Sequence, residues 1–78
     1  MKLRIVGPNQ SEIITSQGTV FYSYNTPVAL HSYGAGSVPS GFYRTEEKYS
    51  VTTSRHINRW LDGAKAEIRP QSFFNGLE

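Results

Sequence analysis

The sequence predicts a small α+β domain in which an antiparallel β-sheet of consecutive hairpins, with three to five strands, is packed by one α-helix. Three observations lead to this prediction. As far as Thr45, short runs rich in β-branched and aromatic residues alternate with turn residues. After Thr45, one segment has apolar residues at the spacing of an α-helix, and the chain has only 78 residues. That length suffices for a single domain, residues 1–78. We expect no parallel βαβ winding, because it would need several crossover helices and only one clear helix is visible.

The predicted helix covers about residues 53–62, where apolar side chains follow a period of 3.6 residues. Four of them lie on one stripe: Ile57, Trp60, Leu61 and Ala64. The N-cap is expected at one of three hydroxyl residues, Thr52, Thr53 or Ser54, whose side chains can accept from free backbone N–H groups. A helix this short is marginal on its own, so we expect the stripe to pack into the core, with Trp60 as its largest member.

Five extended runs supply the predicted strands. They are Lys2–Val6, Glu12–Thr15, Thr19–Tyr24, Val28–Tyr33 and Gly41–Thr45. Because side chains alternate along a strand, Val20, Tyr22 and Tyr24 should share one face of the third run. The third and fourth runs are separated by Asn25-Thr26-Pro27 and are expected to pair as a hairpin.

The remaining segments connect or close the sheet. The glycine-rich segment Gly34–Gly41 is expected to form a surface loop. Ala66–Arg69 is a candidate last edge strand, because Pro70 pushes the residue before it toward extended geometry. Residues 70–76 are expected to form one terminal helical turn that docks Phe73 or Phe74 over the core.

Composition excludes several kinds of site. The chain has no cysteine and two histidines, His31 and His56, which excludes a disulfide framework and a four-ligand Cys/His zinc site. Eight Lys+Arg against six Asp+Glu give a net charge of +2, below the charge density of a dedicated nucleic-acid binder. The N-terminal segment has only a short apolar run before Gly7, so we expect neither a signal peptide nor a membrane span.

His56 is the candidate for catalysis, because a histidine base can activate a neighbouring hydroxyl as a nucleophile. The pattern lacks a group that would orient the ring, since Asp62 lies roughly two turns further along the helix and no serine stands in a Gly-x-Ser-x-Gly elbow. His31 and His56 without a placed carboxylate do not make a metal site. We therefore expect no enzyme, no catalytic residue, no metal and no cofactor, and an enzyme that uses His56 is the rival hypothesis.

The polar face of the helix is the candidate binding surface. Arg55 and Arg59 stand one turn apart with Asn58 beside them, and these residue types contact phosphates and base edges. Two further cations extend the patch and two tyrosines can stack on unpaired bases or contact a protein: Arg44, Lys48, Tyr22 and Tyr24. The alternative interpretation is a solvated helix face on which Arg59 pairs with Asp62.

Two segments resemble a known family. They are Tyr24-Asn-Thr-Pro-Val-Ala29 and, after a glycine-containing loop, Lys48-Tyr-Ser-Val-Thr-Thr-Ser-Arg-His-Ile-Asn-Arg-Trp-Leu61. They resemble a family of small bacteriophage proteins that carry a domain of unknown function, and the Tyr-Ser-x-Thr-Thr-Ser-x-His block is the most specific part. The resemblance covers residues 22–61. It implies a virus-encoded protein in the host bacterial cytoplasm or in a virion, and it implies no known activity.

The functional prediction is a small non-enzymatic phage accessory protein that binds a host or phage macromolecule, with nucleic acid on the basic helix face as the first candidate. One alternative is an inhibitor or modulator of a host protein that binds through a Tyr-rich surface. Another is a virion-associated structural protein. No membrane partner is expected, and the oligomeric state is left open, with a dimer among the possibilities.

Overall fold

The computed structural model of the protein describes residues 2–34, 38–47 and 50–76. In these residues, six strands form one sheet in sequence order and two helices flank it. The strands are β1 (Lys2–Gly7), β2 (Gln10–Ile14), β3 (Gly18–Ser23), β4 (Thr26–Ser32), β5 (Gly41–Thr45) and β6 (Ala66–Arg69). The helices are α1 (Val51–Leu61), between β5 and β6, and α2 (Gln71–Asn75), after β6.

The sheet confirms the α+β class but differs from the prediction in its strand number. Neighbouring strands from β1 to β5 are antiparallel, as consecutive hairpins require. The sheet has six strands rather than three to five, and β6 pairs with β5 in parallel. The parallel pair arises because α1 carries the chain back across the sheet before β6 begins. The sheet therefore consists of a β1–β5 meander followed by one strand–helix–strand unit, β5–α1–β6.

Helix α1 begins earlier than the sequence indicated. Its N-cap is Ser50, whose Oγ accepts from the Thr53 backbone N–H at 3.1 Å, so the expected cap among residues 52–54 is wrong. A cap residue needs a non-helical backbone, and Ser50 supplies it with φ −162° and ψ 166°. The helix ends at Leu61, followed by Asp62 and Gly63 with positive φ of 50° and 83°.

The core under α1 confirms Ile57 and Leu61 of the predicted stripe, whereas Ala64 lies beyond Leu61, where the helix ends, and is half-buried. The buried members of this core are Phe21, Val28, Ala29, Ile57 and Leu61. Trp60 is half-buried rather than fully buried and packs against this cluster with Phe42 and Ala66. Its ring stacks on Phe21, with centroids 5.1 Å apart and planes at 18°. We call the sheet surface under α1, together with the outward side of α1, the α1 face.

A second core lies on the opposite side of the sheet, which we call the α2 face. Its buried members are Val20, Leu30, Tyr43 and Phe74. Phe74 is fully buried, which confirms that the C-terminal turn docks over the core. Burial of a phenylalanine side chain stabilises a fold by about 1.5–3 kcal/mol. Gln71 connects α2 to the sheet by two hydrogen bonds. Its Nε2 donates to the Pro27 carbonyl and its Oε1 accepts from Thr45 Oγ1, each at 2.8 Å.

The tip of the β3–β4 hairpin corrects one predicted strand face. Ser23 pairs with Thr26, which leaves Tyr24 and Asn25 as a two-residue turn. Both turn residues have positive φ, 52° and 68°, as a type I′ hairpin turn requires. Tyr24 therefore does not continue the strand alternation of Val20 and Tyr22. The expected alternation is wrong there because the strand ends one residue earlier than predicted.

Candidate functional site

The predicted basic patch comes together around α1. Arg55, Asn58 and Arg59 are all exposed on the helix surface. Arg44, from β5, donates from Nη1 to Asn58 Oδ1 at 3.0 Å, so the sheet and the helix present their polar groups at one place. Lys48, which was predicted to extend the patch, lies outside the described residues.

An open pocket adjoins this hydrogen bond at the C-terminal end of α1. Its volume is about 520 Å³, and it lies between the helix and the β5–β6 edge. Arg44 and Asn58 supply its polar wall, and the other lining residues are Leu61, Gly63, Ala64, Ala66 and Ile68. The floor is mainly apolar, and Ile68 remains 63% exposed. A flat apolar group with a polar edge matches this lining.

Strand β1 adds cations that the sequence analysis did not include. Arg4 lies opposite Glu12 and contacts its carboxylate, with Nη1 and Oε1 3.6 Å apart. Lys2 shares this strand face by alternation. The carboxylate of Glu12 is also bound by Trp60, whose Nε1–H donates to Oε2 at 2.9 Å. Arg4 stays largely exposed, so the strand pairing of β1 brings positive charge to the α1 face.

Positive charge is therefore unevenly distributed over the two faces. The described structure places five cations on the α1 face, namely Lys2, Arg4, Arg44, Arg55 and Arg59, while Lys65 is exposed in the segment between α1 and β6. Two acids accompany them there, the buried Glu12 and the C-cap Asp62. On the α2 face, Arg69 pairs with Glu67 and its guanidinium lies over the rings of Tyr43 and Phe73. Glu46 and Glu47 are exposed in the segment between β5 and α1.

The two tyrosines that were predicted to bind a partner, Tyr22 and Tyr24, lie in different places. Tyr22 is half-buried and packs against the α2-side core. Tyr24 is 50% exposed and its ring stacks on His56 of α1, with centroids 5.8 Å apart and planes at 30°. The structure therefore brings Tyr24, but not Tyr22, next to the helix that carries the arginines.

His56 belongs to a small hydrogen-bond network at the start of α1. Its Nδ1 lies 2.9 Å from Ser23 Oγ, and this hydroxyl also donates to Thr53 Oγ1 at 3.4 Å. Ser23 is 2% exposed, so its oxygen is enclosed between the helix and β3. The network joins the first turn of α1 to the sheet. The buried Ser23 hydroxyl therefore links β3 to α1.

Ser23 was not singled out by the sequence, because its contact with His56 spans 33 residues along the chain. The other histidine, His31, stacks on Phe42 with ring centroids 4.3 Å apart and planes at 8°. Within residues 2–34, 38–47 and 50–76, no group of three His, Asp or Glu side chains is arranged to hold a metal ion. The same residues contain no helix that is long and apolar enough to cross a membrane.

The α2 face has an apolar strip beside its core. Leu3 and Ile5 of β1 are 64% and 71% exposed. Leu3 lies opposite the half-buried Ile13, and Ile13 in turn lies opposite Val20 of the α2-side core. Helix α2 covers the centre of this face and leaves the β1 end open. The molecule thus presents a basic surface on one face and an apolar strip on the other.

Comparison with known proteins gives a family. No curated protein and no solved structure matches the chain. The model of the Family of unknown function (DUF8033) matches residues 1–76, which is nearly the whole chain. The match includes the N-terminal hairpin and α2, both of which lie outside residues 22–61, and so extends beyond the resemblance expected from the sequence. The protein therefore belongs to the DUF8033 family, whose function is unknown.

Proposed function

We propose that this protein is a small non-enzymatic module that binds nucleic acid through its α1 face. The observation that supports this proposal most strongly is the uneven charge: a net charge of only +2 is arranged so that five cations share one face. Of the two acids there, Glu12 is buried and already bound by Arg4 and Trp60. Because little free negative charge is left beside the arginines, this face attracts a polyanion.

The residue types on α1 fit the chemistry of a nucleic-acid backbone. Arg55 and Arg59 lie one helical turn apart, which places their Cβ atoms about 5–6 Å from each other on the same side. Guanidinium groups donate to phosphate oxygens in a planar fork. Asn58, fixed by Arg44, keeps an amide available for base edges or sugar hydroxyls. Such contacts release counterions, and this release makes the affinity depend on salt.

Two further points belong to the proposal. The protein acts without catalysis, which is supported by the burial of Ser23, the hydroxyl in contact with the His56 ring. It acts in a bacterial cytoplasm during phage infection, which is supported by the likeness of residues 22–61 to small phage proteins.

The test is a fluorescence-anisotropy titration of a labelled mixed-sequence oligonucleotide at several salt concentrations. We expect the logarithm of the binding constant to fall linearly with the logarithm of the salt concentration. In the double variant Arg55→Ala/Arg59→Ala, the slope should decrease in magnitude by about 1.4 for a single strand or about 1.8 for a duplex, because two phosphate contacts are lost.

The matched control is Arg55→Lys/Arg59→Lys, which keeps both charges on the same helix positions. Its salt slope should stay close to that of the wild type, since the release of counterions depends on charge rather than on guanidinium geometry. A wild-type protein that binds no nucleic acid at low salt would contradict the proposal. So would an alanine double variant with an unchanged affinity and slope.

Binding of a host or phage protein is the second candidate function, and the exposed Leu3 and Ile5 on the α2 face favour it. The variant Leu3→Ser removes one large apolar side chain from this strip and leaves the α1 face intact. Under this candidate, a defined protein is retained from nuclease-treated host lysate by the wild type and by Arg55→Ala/Arg59→Ala, and is lost with the serine variant. Retention by all three proteins would contradict it.

A further inference from the structure

The tip of the β3–β4 hairpin carries an aromatic side chain that neither the turn nor the core explains. Tyr24 is half exposed, so its ring does not fill the core. Its φ of 52° is unusual for tyrosine, because type I′ turns favour Asn, Asp and Gly at their central positions. Asn25, the second turn residue, follows that preference. The turn thus carries a bulky ring at a position whose backbone conformation is unfavourable for tyrosine.

Tyr24 lies between helix α1 and a second open pocket. On one side its ring stacks on His56, the residue that follows Arg55 in the first turns of the helix. It also lines a pocket of about 300 Å³. The turn between β1 and β2 is held against the tip, because the Tyr24 backbone N–H donates to the Asn9 carbonyl at 2.9 Å. Tyr24 therefore connects the basic helix to this pocket.

The lining of this pocket is polar but uncharged. Amide and hydroxyl groups come from four residues: Asn9, Gln10, Ser11 and Asn25. Ile5 and Gly7 supply the rest of the described lining. The described lining offers no cation to bind a phosphate. Its amide groups can instead form hydrogen bonds with the donors and acceptors on the edge of an uncharged ring. The volume is at the lower end of the range of about 300–1,000 Å³ for small-molecule sites, which suits one planar ring.

A nucleobase has this chemistry. Its π face stacks on tyrosine irrespective of its sequence, and its edge accepts hydrogen bonds from asparagine and glutamine amides. The phosphates next to such a base would lie toward Arg55, since His56 is stacked on Tyr24. An aromatic platform beside a basic surface is the arrangement that single-strand-binding proteins use.

We propose that Tyr24 and the pocket beside it bind an unpaired nucleobase, so that the protein selects single-stranded over duplex nucleic acid. This inference rests on the proposed function, because the α1 face supplies the phosphate contacts. A duplex keeps its bases stacked and paired, and it can offer one to Tyr24 only after unpairing.

The test compares an oligonucleotide of about 12 nucleotides, within the usual site sizes of single-strand binders, with the same strand annealed to its complement. Anisotropy titrations should give tighter binding of the single strand. Tyr24→Asn should weaken single-strand binding about 5- to 150-fold, because a stacking partner is lost. Its salt slope should match that of the wild type, since no phosphate contact changes.

Tyr24→Asn separates binding from folding. Asparagine tolerates positive φ better than tyrosine, so the variant should be at least as stable as the wild type in a thermal unfolding experiment. Tyr24→Phe keeps the ring and serves as the matched control, with an affinity within about twofold of the wild type because stacking does not need the hydroxyl.

Each outcome bears on a different claim. Equal affinity for single strand and duplex, or a fully stable Tyr24→Asn variant with unchanged single-strand affinity, would overturn the inference and leave the proposed function in place. If the wild-type protein binds neither form at low salt, the proposed function fails and the inference fails with it.

Discussion

At the scale of single residues, Trp60 shows what the sequence could and could not reveal. Its place on the apolar stripe of α1 was predictable from helical spacing. Its bond to Glu12 was not, because the two residues are 48 positions apart and only the strand register brings them together. The indole packs on Phe21 while its N–H binds a buried carboxylate. Trp60 is thus both a packing residue and a hydrogen-bond donor.

This double role gives a graded stability prediction. Trp60→Phe keeps an aromatic ring on Phe21 but removes the donor to Glu12, so we expect a loss of about 1–3 kcal/mol. Trp60→Ala also removes the packing and should cost about 3–5 kcal/mol. Urea unfolding followed by circular dichroism measures both changes. Equal stabilities for the wild type and Trp60→Phe would show that the bond to Glu12 adds nothing.

At the scale of elements, the clear signals were local ones. β1, β3, β4, β5 and the body of α1 follow from runs and periods that are visible in the sequence. The parallel pairing of β6 is not, because four residues such as Ala66–Arg69 carry no directional signal until α1 has returned the chain to the sheet edge. The helix start was also misplaced, since several hydroxyl residues lie together and only the backbone conformation selects Ser50.

The cap gives a prediction for α1. Ser50→Ala removes the acceptor for the Thr53 backbone N–H and should lower the free energy of unfolding by about 0.5–2 kcal/mol. Thr52→Ala is the matched control, because Thr52 is exposed within the helix and makes no cap; its effect should stay within about 0.5 kcal/mol. Chemical unfolding of the two variants would contradict the assignment if Thr52→Ala were the more damaging change.

At the scale of the whole molecule, the sheet separates two chemically different surfaces. The sequence indicated the helix part of the basic surface, because Arg55, Asn58 and Arg59 follow helical spacing. It did not indicate Arg4 or the pocket beside Tyr24, which depend on how β1 and the hairpin tips are placed by the sheet. The near-neutral overall charge concealed this asymmetry, since composition averages over both faces. The candidate interface was therefore only partly predictable.

The most direct test of the α1 face as a nucleic-acid-binding surface is an NMR titration of ¹⁵N-labelled protein with the short single strand. We predict that the largest chemical-shift changes fall on the α1 amides from Arg55 to Arg59, on the Asn58 side-chain amide and on Tyr24. The amides of α2 should remain unshifted, because they lie on the opposite face of the sheet. Changes centred on α2 and the Leu3–Ile5 strip, with α1 unaffected, would contradict the account.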